Sequence, residues 1–309
     1  MSLSQQSSFS LPKFRDQLES FAFVLPAVLI FCIFYIVPFY EIFKLSLQEW
    51  DGISLVRTYI GFENFKELIS DHGWWKSMWN AAYITLIALT FQNALAFALA
   101  LACDQEIFMK GVYRVIFFIP PVLSEVVVGL IWSWILYSGM QDGQHIGLLN
   151  TALAKIGFSN LITNWLSNPK TVLTCIAVVH SWKGFGWGFI MFLAGLQTID
   201  RQLYEAARVD GAGSFSVFKN VTVPMMLPVI VVVMILTILG AMQAFVLILT
   251  LAGSAGLGDY TAVPVTKILA AMTGQNRYGY ACAMGVNFGM ILIAVSFVLK
   301  KISERMKQA

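Results

Sequence analysis

Charge is what this sequence of 309 residues has least of. Asp, Glu, Lys and Arg make up 12% of it, against 58% hydrophobic residues. A soluble domain carries about 25% charged and about 45–50% apolar residues. So little charge cannot cover a soluble globule, and the chain reads as an integral membrane protein. The net charge of +3 comes without a basic block, which argues against a nucleic-acid partner. Cys32, Cys103, Cys175 and Cys282 form no CxxC pair, so neither a disulfide framework nor a zinc site is suggested. No GxxxxGK[ST] run is present to cradle phosphates. His72, His145 and His180 lie far apart, so no metal cluster is expected, and no catalytic constellation either. A chain with these gaps is not itself an ATPase.

Long apolar runs are what is there. A helix crossing a bilayer needs about 20 consecutive, mostly apolar residues, and six segments qualify: 21–43, 81–102, 115–137, 171–197, 223–252 and 278–299. The runs are continuous rather than alternating, which excludes a β-barrel. The fold class is therefore all-α, a polytopic membrane protein with six transmembrane helices. The first run is too long for a signal-peptide core and reads as an anchor. The fifth lies in a charge-free stretch too long for one simple span; Pro224 and Pro228 suit its first turns, and the glycine-rich 252–258 suits an exit loop.

With the N-terminus in the cytoplasm, the inner segments hold eleven Lys and Arg and the longer outer loops eight. That bias places both termini in the cytoplasm. It gives a cytoplasmic segment 1–20, a transmembrane domain 21–299 and a cytoplasmic tail 300–309. In the first outer loop, 61–79, "GFENFKELI" reads as a short interfacial helix with Phe62, Phe65, Leu68 and Ile69 on one face. Trp74, Trp75 and Trp79 suit the headgroup belt.

The cytoplasmic loop at about 199–222 interrupts this apolar chain. Ile199, Leu203, Ala206 and Ala207 recur at helical spacing among Arg201, Gln202, Glu205 and Arg208. Asp210-Gly211 marks a reversal. Ser214 is placed to cap a second short helix in which Phe215 and Phe218 share a face with Val221 or Thr222. Two fates fit such a segment: lying on the membrane surface, or docking into a groove of a cytoplasmic partner.

"YEAARVDGAGSFSVFKNVTVPMMLP", from Tyr204 to Pro228, resembles the EAA signature of binding-protein-dependent ABC importer permeases. Glu205-Ala206-Ala207, Asp210-Gly211-Ala212, Phe218, Pro224 and Pro228 carry the match. "GFENF" (61–65), "NAAYITL" (80–86), "RVIFFIPPVLSEVVVGLIWSWIL" (114–136), "GLLN" (147–150), "WKGFGWGFIMFLAGLQTI" (182–199) and "YGYACAMG" (278–285) resemble motifs of its carbohydrate-type branch, in order and over most of the chain. Two places depart from it: Asp200 stands where many relatives have Pro, and "LAGSAGLGDYTAVP" replaces a Gly-Gly-Pro turn. The resemblance implies the type I permease fold of ABC importers. It gives Glu205, Ala206, Ala207, Asp210 and Gly211 to coupling with an ATPase, with Phe215 and Phe218 packing the second helix beneath the protein. It implies a second homologous permease as a heterodimer partner, two ATPase subunits that hold ATP and magnesium, and an extracellular or periplasmic solute-binding protein. No cofactor is implied in this chain.

Polar residues inside spans cost free energy and flag pathways. Gln92, Glu125, Trp182, Lys183, Gln243 and Asn287 are the substrate-binding candidates. Amides and an aromatic face suit a sugar, and the resemblance to carbohydrate permeases points the same way. Interhelical packing, or a mutual Glu125–Lys183 ion pair, is the plainer alternative. Three rivals stay open. One is a permease for glycerol phosphate, which would want converging cations. The others are an ion-coupled secondary transporter and an intramembrane enzyme.

Overall fold

A computed structural model describes residues 14–105, 108–141, 144–253 and 258–308. Most of the glycine-rich stretch 252–258 therefore lies outside the described residues. Among the described residues, five helices are long and apolar enough to cross a membrane: Phe21–Ser46, His72–Asp104, Val172–Leu196, Ser214–Met242 and Tyr278–Lys301. The remaining run forms two helices, Lys110–Val122 and Glu125–Ile135, bent by 97° at their joint. The order of the apolar runs matches the expected spans one, two, four, five and six.

The third run is the main correction to a plain six-rod picture. Pro120 and Pro121 end its first limb, because proline has no N–H to continue the helix and crowds the carbonyl four residues back. Leu123 and Ser124 are extended, and the Ser124 hydroxyl accepts a 3.3 Å hydrogen bond from Val127 N, capping the second limb. A Cβ at Gly186 would strike the Phe117 carbonyl, so glycine lets span four close against this limb. Pro-Pro followed by Ser-Glu is a helix stop and start, and it outweighs the run's even hydropathy.

Span five also differs at both ends. It begins at Ser214, so the expected second short helix is continuous with the span through a π-turn, Phe218–Thr222. Gly213, not Ser214, occupies the N-cap position. The span stops at Met242, and a separate helix, Val246–Ala252, follows. Another π-turn, Cys32–Ile36, lies in span one. Each of these two turns ends two residues before a proline, Pro38 or Pro224. The wider turn relieves the clash between the proline ring and the preceding carbonyl.

Span four is the axis of the packing, with 13 of its 25 residues buried. One core gathers around Trp74, Ile84, Ile176 and Leu247, and a second around Ala96, Phe189, Phe192 and Met226. In lipid, helix association rests on close van der Waals packing rather than on apolar burial. Small residues on the contact faces serve that end: Gly188 meets Ala96, and Gly195 meets Met226. Of span one, only its last residue, Ser46, is buried. Its far end packs on span six, so the rest of its apolar surface faces lipid or another protein.

The short helix Glu63–Ser70 turns a different face inward than expected. Asn64 and Leu68 are buried, while Phe62 and Ile69 are exposed. The Asn64 amide donates to the Ser46 and Gln48 carbonyls at 2.9 and 3.0 Å, fastening this helix to the end of span one. Trp74 is likewise not in a headgroup belt: it is fully buried and donates from Nε1 to Asn287 Oδ1 at 3.2 Å. Trp75 and Trp79 are exposed. Trp74 shares a face with Ser77, Ala81 and Ile84, all buried, and that face meets the core.

Candidate functional sites at the projecting helix and the mid-membrane break

At one end of the bundle, the helix Arg201–Val209 stands away from the spans with no buried residue. Asp200 caps it, its carboxylate accepting from Gln202 N at 2.9 Å. The other end closes with two bonds, Gly211 N to Arg208 O at 3.0 Å and Ala212 N to Ala207 O at 2.9 Å. This is the Schellman arrangement, which needs a left-handed residue, and Gly211 has φ +79° with open space around it. Glu205, Ala206, Asp210 and Gly211 are exposed and Ala207 is half-buried. Leu203, Val209 and Phe215 are apolar yet exposed, Phe215 at 77%.

The loop is tied to the bundle by few contacts. Tyr204 packs against the second core, and its hydroxyl accepts from Thr222 Oγ1 at 3.4 Å. The Phe218 ring lies 6.1 Å from Phe97, which meets Phe192 edge-on at 5.1 Å. Phe215 and Phe218 thus do not act as a pair: Phe218 packs beneath the bundle and Phe215 points away from it.

Halfway along the spans the structure brings only some of the candidates together. Glu125 opens the second limb of the bent pair, and its Oε1 lies 3.8 Å from Lys183 Nζ on span four. Trp182 meets Trp132 edge-on at 5.5 Å. Gln92 is buried with its Oε1 unpaired, set against span four where Gly184 leaves room. Gln243 is exposed at the break after span five, and Asn287 is occupied by Trp74. Asn287 is thus engaged away from the Glu125–Lys183 pair. Asn93 neighbours the candidate Gln92 as a polar residue inside span two, whereas sequence reasoning passed over Thr237 and Ser181. Thr237 Oγ1 donates to Asn93 Oδ1 at 3.1 Å, joining spans two and five. Ser181 is fully buried with an unpaired hydroxyl. A π-turn at Ala88–Gln92 sets Gln92 and Asn93 against spans four and five.

The opposite end carries a polar network that sequence reasoning did not single out. Arg277 holds Glu67 through two bonds of 2.8 and 2.6 Å and lies 4.4 Å over the Tyr280 ring. Tyr280 donates to Asp71 Oδ2 at 2.7 Å, and Lys267 to Asp259 at 2.7 Å. A cavity of about 400 Å³ lies beside Glu67, Asp71, Lys267 and Arg277. Hydrogen bonding to Arg277 holds the Glu67 carboxyl below its ordinary range. Burial pushes Asp71 up, but the bonds from Tyr280, Trp74 N and Gly73 N, with the charge of Lys267, hold it low. Partners so far apart in sequence leave no local pattern.

The family profile described as "Binding-protein-dependent transport system inner membrane component" matches residues 94–308. The chain is 31% identical over 289 residues to the "Sulfoquinovosyl glycerol transport system permease protein SmoG" of Agrobacterium fabrum (strain C58 / ATCC 33970), covering 92% of this chain and 87% of that one. It is 29% identical over 287 residues to the "Diacetylchitobiose uptake system permease protein NgcF" of Streptomyces coelicolor (strain ATCC BAA-471 / A3(2) / M145), covering 90% of this chain and 78% of that one. Among solved structures, a bacterial ABC transporter involved in the import of the acidic polysaccharide alginate superimposes with a TM-score of 0.78 at 23% identity. The match covers 94% of this chain and 96% of the other, so the two share a fold.

Proposed function

Since this chain belongs to the family of binding-protein-dependent transport system inner membrane components, we propose that it is the permease subunit of an ATP-driven importer for a saccharide, an oligosaccharide or a related polyol glycoside. The carrying observation is the projecting helix. A capped, Schellman-closed helix beneath a membrane bundle, with no residue buried and with Leu203, Val209 and Phe215 exposed, has the form of a plug for a groove in another protein. The favoured occupant of the other side is an ATPase subunit, which would hold ATP and magnesium. Glu205 and Asp210 supply charge for pairing, the alanines permit close approach, and Gly211 sets the turn.

Six runs make one wall of a pathway, so a second permease completes it, and an external solute-binding protein delivers the solute. Both termini and the projecting helix are then cytoplasmic, with residues 1–20 and 300–309 flanking the membrane domain. ATP-driven closure of the ATPase pair would move the projecting helices and rock the two permease halves between outward and inward access. The substrates named for SmoG and NgcF support a glycosylated solute. Gln92, Trp182, Gln243 and Asn287 remain the proposed sugar-facing set, with Gln92 and Trp182 nearest the mid-membrane break. The glycerol phosphate alternative has less support, because Lys183 already faces Glu125. Coupling to an ion gradient through Glu125 is weakened by the same pairing.

The test is Glu205→Lys in the complete complex, reconstituted in vesicles with its delivery protein. Uptake of labelled saccharide and its stimulation of ATP hydrolysis should both fall by at least tenfold while membrane insertion is unchanged. Undiminished uptake would sink the proposal.

A further inference from the structure

Two independent features require water or protein, not lipid, at one face of this chain. The first is the joint between Val122 and Glu125, where the backbone is extended and Ser124 is exposed. Non-helical backbone at membrane depth is tolerated only against protein or a water-filled cavity. The second is the pair of charges beside it. Lys183 is the twelfth residue of the 25-residue span four, and its side chain is 19% exposed; that of Glu125 is 38% exposed. Charged groups at this depth are costly unless they face one another, protein or water. With the chain lining a pathway as proposed above, the broken backbone and both charges belong to its wall.

At 3.8 Å the two charges compensate each other without a close hydrogen bond. We propose that the Glu125–Lys183 pair is a charge filter, which keeps the pathway wall electrically neutral at mid-membrane, admits uncharged saccharides and turns away anionic ones. This rests on the saccharide-permease reading above and names the substrate class within it. A solute carboxylate approaching Lys183 must also approach the Glu125 carboxylate, and in a low-dielectric site that repulsion is little screened. Removing the Glu125 charge frees Lys183 as a lone counter-ion for a carboxylate. The adjacent Trp132–Trp182 rings offer either kind of sugar the same apolar face, so the pair alone carries the discrimination.

The experiment measures equilibrium binding of matched disaccharides to the purified permease–ATPase complex, without the delivery protein, so that the latter's own selectivity does not enter. Each neutral disaccharide, cellobiose and maltose among them, is paired with its uronic-acid counterpart. The assay is run at pH 8, where an imidazole such as that of His180, one turn from Lys183, is uncharged. The wild type should bind the neutral member at least tenfold more tightly. Glu125→Gln should shift the ratio at least tenfold toward the acid. Lys183→Gln should shift it the other way, and the exchange Glu125→Lys with Lys183→Glu should restore the wild-type preference. If Glu125→Gln does not assemble, the exchange and Lys183→Gln carry the same test. An acid-to-neutral ratio within twofold of the wild type in every variant overturns the filter and leaves the saccharide reading standing. A wild type that prefers the acid also overturns it. A complex that binds no saccharide of either kind overturns the saccharide reading itself.

Discussion

The two ends of this bundle are built on opposite plans. At one end, the hairpin end, where Gln48–Glu49 pairs antiparallel with Thr58–Tyr59, the helix Glu63–Ser70, the helix Pro264–Thr273 and the starts of spans two and six are joined by Glu67–Arg277, Tyr280–Asp71 and Lys267–Asp259. The Asn80 amide adds bonds to the Asp259 and Ala262 carbonyls, both at 2.8 Å. At the other end, the helix Arg201–Val209 has no fully buried residue, touches the core only through Tyr204, and leaves Leu203 and Val209 exposed. The first end pairs Glu67, Asp71, Asp259, Lys267 and Arg277 internally. The second leaves its binding capacity unspent. The same difference in substitution cost should follow: folding should suffer at the first end and assembly at the second.

The largest loss of stability is expected from Trp74→Ala. Trp74 is fully buried among other side chains, and its Nε1 donates to Asn287. Emptying a buried Trp site typically costs about 3–5 kcal/mol, and Asn287 would lose its donor. Thermal unfolding of the purified protein in detergent should fall by many degrees, with a lower yield of monodisperse material. Trp74→Phe, which keeps most of the packing, should lose about 1 kcal/mol, the scale of one hydrogen bond. A wild-type melting temperature in the alanine variant would show that the hairpin end is not the stabilising one.

A smaller effect should appear on acidification. Glu67 and Asp71 have folded-state pKa values below their ordinary 4.5 and 3.8. A depressed carboxylate gives stability that is present above the ordinary value and is lost as pH falls through the folded one. Glu67 raises the already high pKa of Arg277 by hydrogen bonding, so the guanidinium stays charged throughout this range and the loss belongs to the acids. The Glu67 and Arg277 side chains are 48% and 42% exposed, which limits their pair to about 0.2–1 kcal/mol. Wild-type melting temperature should therefore drop as pH is lowered from 6 to below 4. The double variant Glu67→Gln, Asp71→Asn should start lower and drop less. Equal acid sensitivity in both proteins would remove the network from the account of this end.

What could be read in the sequence follows the range of the interaction. The six apolar runs are local composition, and they mark the membrane segments. The projecting helix could be read because Asp200, the EAA triplet and Gly211 carry capping and turn chemistry within a dozen residues. The break at Leu123–Ser124 was also locally encoded, in Pro-Pro and Ser-Glu, but the apolar run masked it. The hairpin-end network was not legible, since Glu67 and Arg277 are 210 positions apart and nothing near either names the other. For the mid-membrane candidates, residue type gave the list and only packing could sort it. It set Glu125 opposite Lys183 and gave Asn287 to Trp74.

The smallest effect on folding is expected where the largest effect on assembly should be found, at Phe215→Ser. The side chain is 77% exposed, and surface substitutions away from caps and networks usually stay within about 0.5 kcal/mol. Unfolding of the isolated permease should be unchanged. If the projecting helix is a plug, Phe215 lies where a buried aromatic anchor would, and such anchors often cost about 2 kcal/mol or more when lost from an interface. That corresponds to about a thirtyfold weaker association with the ATPase subunit, since about 1.4 kcal/mol is a factor of ten. Co-purification at limiting ATPase concentration would read it directly. The same residue lying on the bilayer surface would instead leave ATPase binding intact and alter how the loop partitions to lipid vesicles, which separates the two fates of an amphipathic loop at a single side chain.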